Sequence, residues 1–268
     1  MATLLFNAAF GFYIVGLFHS AVGFLTKKPV FFRVAFLSVL VAFCLHSGFL
    51  VVRGLEQSAF PLVEIRELLA FFAWTVTLCF LLAHRRYGFH ALGLFLLPLV
   101  AALMMGTVFV QAAPAPDLLR NSWVYLHTTA IFLAYGLFLV SFVIGILYLV
   151  QERELKARKP RTFYDRLPSL GVMDELFQKS LIWGFTFMTV GLLAGILWAG
   201  QTWSGSWYRD PKVIAALGTW GIYLLLLYVR LSAGWRGKWV AWISTFGFIS
   251  VLFTFLGASY FGGQHIFE

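Results

Sequence analysis

Eight apolar runs, each close to the roughly 20 residues that cross a bilayer as a helix, leave this chain little choice of architecture. They lie at Leu4–Leu25, Val34–Val52, Glu67–Ala83, Phe89–Gln111, Trp123–Val150, Leu176–Gly200, Val213–Leu231 and Trp239–Phe261. The alternation of period two that a transmembrane β-barrel needs is absent from them. Composition agrees: 61% of the residues are hydrophobic and 12% charged, with a mean hydropathy of +0.86. The expected fold is all-α, a polytopic integral membrane protein of about eight transmembrane helices, read as a single domain over residues 1–268. The N-terminus has neither a basic leader nor a small-residue cleavage site, so the first run is expected to remain as a span.

The net charge of +9 is distributed in a way that argues against nucleic acid. Lys27, Lys28 and Arg33 follow the first run, and Arg85 and Arg86 the third. The fifth is followed by Arg153, Lys156, Arg158, Lys159, Arg161, Arg166 and Lys179, and the seventh by Arg230, Arg236 and Lys238. Arg53, Arg66, Arg120, Arg209 and Lys212 fall in the other set of loops. By the positive-inside rule the richer set is cytoplasmic, which puts both termini outside in an inner (cytoplasmic) membrane. Pro114 and Pro116 punctuate the outer loop before the fifth run. Lys159 to Lys179 reads as a short interfacial segment, with Asp174 and Glu175 favouring the N-terminal end of the sixth helix.

One outer loop, residues 201–212, is unlike the rest. It holds Trp203-Ser204-Gly205-Ser206-Trp207-Tyr208-Arg209-Asp210-Pro211-Lys212. Indole and phenol rings with a polar tip settle at membrane–water boundaries, which by itself explains an interfacial anchor. An aromatic shelf ringed by charge also suits a flat, apolar, dianionic ligand such as haem. The same topology brings His127 and His265 to that face. Two imidazoles on opposite faces of a porphyrin make a six-coordinate iron centre, and Arg209, Lys212, Arg120 or Arg66 are candidates to meet the propionates. Taken singly, each histidine also fits a plain interfacial residue.

The loop resembles the tryptophan-rich "WWD" signature of the CcsA/CcmC cytochrome c assembly family, commonly WGxxWxWDPKET. Further segments look like family segments in order: Leu45-His46-Ser47-Gly48-Phe49 through Arg53, Phe60-Pro61-Leu62 with Glu67, and Phe71-Phe72-Ala73-Trp74. Leu126-His127 through Ala134-Tyr135, Leu167-Pro168-Ser169-Leu170 with Asp174, Gly234-Trp235-Arg236-Gly237 and Phe246 through Gly257 continue the series. The resemblance implies that His127 and His265 are axial ligands of a non-covalent haem b, with Trp203, Trp207, Tyr208, Arg209 and Asp210 around it. It implies haem presented at the outer face for attachment to apocytochrome c. A second membrane subunit and a thiol-reducing protein are the implied partners. Arg209 replaces the signature's third tryptophan and Val213 its acidic residue. Tyr228 stands where two-protein systems carry a further histidine. The chain looks closer to the HemX-like branch, linked to tetrapyrrole synthesis, so a haem-sensing regulator acting through the basic inner loop is the alternative.

Four other features carry less. His19 and His46 sit within the first two runs at depths that differ by about 10 Å at 1.5 Å per residue, so they do not make one axial pair. Each is expected to bond a neighbouring helix. Glu64, Arg66 and Glu67 are expected to form an outer ion-pair cluster. His84 and His90 flank a basic inner turn as interfacial residues. Cys44 and Cys79 form no CxxC, and there is no GxSxG, HExxH or P-loop, so no catalytic residue is assigned.

Overall fold

The computed structural model describes residues 1–57, 59–62, 64–110, 119–157, 166–203, 207–235 and 237–257. Among them it shows α1 (Ala2–Thr26), α2 (Pro29–Gln57), α3 (Ile65–Tyr87), α4 (Leu92–Phe109), α5 (Ser122–Lys156), α6 (Leu170–Thr202), α7 (Pro211–Leu231) and α8 (Lys238–Leu252). A 3₁₀ turn, Trp207–Arg209, precedes α7, and a π turn, Phe253–Gly257, extends α8. Eight helices among the described residues are long and apolar enough to span a membrane, and none of these residues is in a strand. This is the expected all-α membrane fold. A helix satisfies its own backbone polar groups, which hydrocarbon cannot do. The chain divides into two compact units, Met1–Ala115 with Pro160–Pro168, and Pro116–Lys159 with Ser169–Glu268.

In the first unit, α1 and α2 approach closely because small residues face large ones. A Cβ on Gly16 would come within 2.6 Å of Val39 Cγ2, and one on Gly23 within 3.0 Å of the Phe32 ring. Close backbone approach of this kind substitutes for the hydrophobic effect, which lipid does not supply between helices. Polar groups add direction. Trp74 Nε1 donates to Ser47 Oγ at 2.8 Å, tying α3 to α2. Gly88 closes α3 at φ 60°, a left-handed value suited to glycine, and its N–H reaches the His84 carbonyl at 2.8 Å.

The acidic cluster differs from expectation in its cation. Arg53 on α2 lies 3.3 Å from Glu67, 3.4 Å from Glu56 and 3.9 Å from Glu64. Gln57 donates to Glu67 at 2.6 Å. Arg66 points elsewhere, its Nε donating to the Thr107 carbonyl on α4 at 3.1 Å. Glu67 is one residue from Arg66 and so projects about 100° around the helix from it, toward α2 rather than α4.

In the second unit, α5 and α6 run antiparallel along their length. Three α6 glycines face three α5 side chains. A Cβ at Gly184 would meet Phe138 at 2.6 Å, at Gly191 Ile131 at 2.8 Å, and at Gly195 His127 at 2.6 Å. At 35 and 33 residues the pair extends to about 50 Å, well beyond the roughly 30 Å hydrocarbon layer. The Phe142 and Phe248 rings stack at 4.7 Å between α5 and α8, and Trp220 of α7 donates to Thr189 of α6 at 3.0 Å.

The start of α6 corrects the sequence reading. Ser169 is the N-cap, its Oγ accepting from the Val172 N–H at 3.4 Å, so the sixth helix begins at Leu170, six residues before the expected Leu176. Asp174, a turn inside the helix, pairs with Arg230 of α7 at 2.6 Å. Arg230 also donates to the Trp235 carbonyl at 2.8 Å and to Gln178 at 3.3 Å. The carboxylate serves an interhelical ion pair, not the helix end.

Candidate functional site

The end of the second unit opposite Arg230 gathers the N-termini of α5 and α7, the C-termini of α6 and α8, and the aromatic turn. His127 lies in the second turn of α5, where Asn121 caps the helix by accepting from the Trp123 N–H at 2.8 Å. Its Nδ1 sits 2.8 Å from the Gly191 carbonyl on α6. A carbonyl oxygen only accepts, so Nδ1 carries the proton and Nε2 keeps its lone pair. Histidines that ligate metals are held in this way, with the second ring nitrogen bonded to a carbonyl or carboxylate. Gly195 makes room for the ring. Lys212, on the first turn of α7, is near enough to act electrostatically on His127.

The aromatic turn divides by role. Trp203 is buried and meets Trp198 edge-on, ring centres 5.4 Å apart. Trp207 and Tyr208 are perpendicular at 6.1 Å, with Tyr208 exposed and the Arg209 guanidinium 5.6 Å over its ring. Arg209 thus makes a cation–π contact at the place of the expected third indole. Asp210 is buried and caps α7, its Oδ1 accepting from Lys212 N–H at 2.9 Å and Val213 N–H at 3.3 Å, with Pro211 first in the helix. Ser204 to Ser206 and His265 lie outside the described residues. From Gly257, where the described part of the C-terminal helix ends, His265 is eight residues on, a reach of up to about 28 Å.

The remaining candidates are elsewhere. His46 is fully buried in the first unit, its Nδ1 3.3 Å from the Tyr13 hydroxyl, the interhelical bond expected of it. His19 instead bonds the Val15 carbonyl of its own helix at 2.8 Å. Arg66 serves Thr107, and Arg120 is exposed just before α5. Tyr228 is exposed on α7. Sequence reading missed Gly191, Gly195 and Trp198. The Gly191-x-x-x-Gly195 spacing was the available signal for the first two.

The sequence profile described as cytochrome c assembly protein matches residues 62–265, which take in His127, the aromatic loop and His265. The chain belongs to the cytochrome c assembly protein family. Its relatives include the cytochrome c biogenesis protein CcsA of Chlamydomonas reinhardtii, 30% identical over 226 residues, covering 81% of this chain and 63% of that one. The Synechococcus sp. (strain CC9902) CcsA is 29% identical and covers 85% and 84% respectively. The Guillardia theta CcsA is 26% identical and covers 97% and 94%. This chain therefore spans less than two thirds of the Chlamydomonas protein and most of the other two. Among solved structures, the cytochrome c haem lyase CcmF matches with a TM-score of 0.68 at 20% identity, covering 96% of this chain and 46% of CcmF. That likeness is one of fold. Membership makes this an integral membrane protein of the cytochrome c biogenesis family.

Proposed function

We propose that this protein holds haem b non-covalently at the outer membrane face, with His127 and His265 as axial ligands, and presents it for attachment to apocytochrome c. The observation that carries the proposal is the His127–Gly191 contact. A backbone carbonyl orients the imidazole and leaves its far nitrogen as a lone-pair donor. The names of the relatives, cytochrome c biogenesis protein CcsA and cytochrome c haem lyase CcmF, support haem as the ligand.

The residues present fit such a group. Trp207 and Tyr208 supply aromatic surface at the same end of the unit as His127, and Lys212 and Arg209 supply cations for the propionates. Trp203, packed on Trp198, and Asp210, capping α7, fix the turn that carries them. Haem itself brings the reactive periphery and the iron. The chain's part is to bind it, orient it and keep it at the boundary where a thiol-bearing partner arrives. In this reading the thiols that take the haem belong to apocytochrome c, and a thiol-reducing protein and a second membrane subunit complete the system. The positive-inside bias supports an outward-facing site.

Purification from haem-replete cells followed by an absorption spectrum tests this. A low-spin haem spectrum, or its appearance on adding haemin, is expected. A protein that stays colourless with haemin overturns the proposal.

A further inference from the structure

The basic end of the first unit holds two histidines that the haem reading does not use. His84, in the last turn of α3, and His90, in the turn before α4, have ring centres 4.8 Å apart at an interplanar angle of 65°. Each is backed by a phenylalanine of α2. The His84 ring stacks on Phe36 at 4.6 Å and 16°, and the His90 ring on Phe32 at 5.0 Å and 26°. Two apolar walls thus hold two imidazoles edge to face across the α3–α4 turn, whose register Gly88 fixes.

The Nδ1 of His84 is buried with no hydrogen-bond partner. A buried ring nitrogen left unpaired costs free energy unless a donor or an electron-pair acceptor such as a metal ion meets it.

We propose that His84 and His90 form a two-imidazole site for a borderline divalent transition-metal ion such as Zn²⁺, completed by water. With metal–nitrogen distances of about 2.0–2.1 Å, ring centres this close subtend an angle of about 100° at the ion, near tetrahedral. The same spacing rules out a bis-histidine haem here, because axial imidazoles across a porphyrin stand with ring centres about 6 Å apart. It also rules out the straight two-coordinate geometry of Cu(I). Among the described residues no third His, Cys, Asp or Glu completes the set, so water fills the remaining positions and the ion exchanges readily. Arg85 and Arg86 are exposed, and Arg86 lies 5.7 Å over Tyr87.

The test is calorimetric titration of the full chain with Zn²⁺, in detergent, without a polyhistidine tag and after chelator treatment. One ion per chain at this site is expected, with Zn²⁺-dependent shifts of the His84 and His90 Cε1 resonances. His90→Ala, in the turn between α3 and α4, and His84→Ala should each weaken binding at least tenfold, with the far-ultraviolet helical signal retained. His127→Ala should leave it unchanged. Absence of binding, or binding that survives replacement of both His84 and His90, overturns the proposal.

Discussion

His127 and Gly195 are in contact in a way that makes each a condition of the other. A Cβ added to Gly195 would stand 2.6 Å from His127 Nδ1, which no pair of such atoms tolerates. The neighbouring Gly191 carbonyl, one helical turn away, takes the Nδ1 proton. The position of the imidazole is therefore set by the backbone of α6, and α6 can come that close because it is glycine there.

Gly195→Ala should accordingly displace the ring and break its bond to Gly191. Loss of such an orienting contact typically costs about 10–100-fold in metal affinity. Haem retained per protein after size-exclusion chromatography should fall by that order, while the far-ultraviolet helical signal stays. Undiminished haem in a folded Gly195→Ala protein contradicts the assigned role.

Asp210 is a helix cap first. Asp210→Ala should cost about 1 kcal/mol through the loss of the two N–H bonds at the start of α7, read as a lower melting temperature in detergent. Asp210→Asn, which caps as well, should restore stability and the haem spectrum together. An Asn variant as defective as Ala would mean that the carboxylate charge matters beyond capping.

The Arg230–Asp174 pair is buried on the arginine side, whose side chain is 2% exposed against 21% for the aspartate. Removing Asp174 leaves a guanidinium with its partner gone in a poorly solvated place, and breaking pairs of this type costs about 3–5 kcal/mol. The figure falls toward the lower end because Gln178 and the Trp235 carbonyl remain. Asp174→Ala should thus cost more stability than Asp210→Ala, and a melting temperature equal to wild type would show the pair to be incidental.

His90 gives a pH dependence with a definite sign. Burial against Phe32 and α3 lowers its pKa below the ordinary 6.5. The unfolded chain then binds the proton more readily than the folded one, so this contribution to stability is present above pH 6.5 and is lost as pH falls through the folded value. Titration of the His90 Cε1 resonance should give a midpoint below 6.5, with the first unit loosening on the acid side. A midpoint at or above 6.5 contradicts the burial account.

The membrane fold was legible because hydropathy reports what lipid demands, and a span of about 20 residues is hard to disguise. Helix ends were less so. The sequence places the start of the sixth span at Leu176, but Ser169 caps α6 seven residues earlier, since amphiphilic turns such as Met173 to Lys179 carry no hydropathy signal once they leave the hydrocarbon. Partner choice was harder still. Glu64, Arg66 and Glu67 are adjacent in sequence and look like one cluster, yet Arg53, a helix away, takes both carboxylates. In the candidate site, His127 stood out as a residue type in an outer position. Gly195 did not, because the need for a missing Cβ exists only once another helix is beside it. The indoles read as a shelf, whereas Trp203 turns inward to Trp198 and Trp207 stands perpendicular to the exposed Tyr208.

The central claim is that two imidazoles, His127 and His265, ligate one haem iron. Electron paramagnetic resonance of the oxidised, haem-loaded protein measures it most directly. Wild type should give the low-spin signal of bis-histidine ligation, His127→Gly and His265→Gly should each turn it high-spin, and added imidazole should return each to low-spin. A low-spin signal that persists through both replacements contradicts the account.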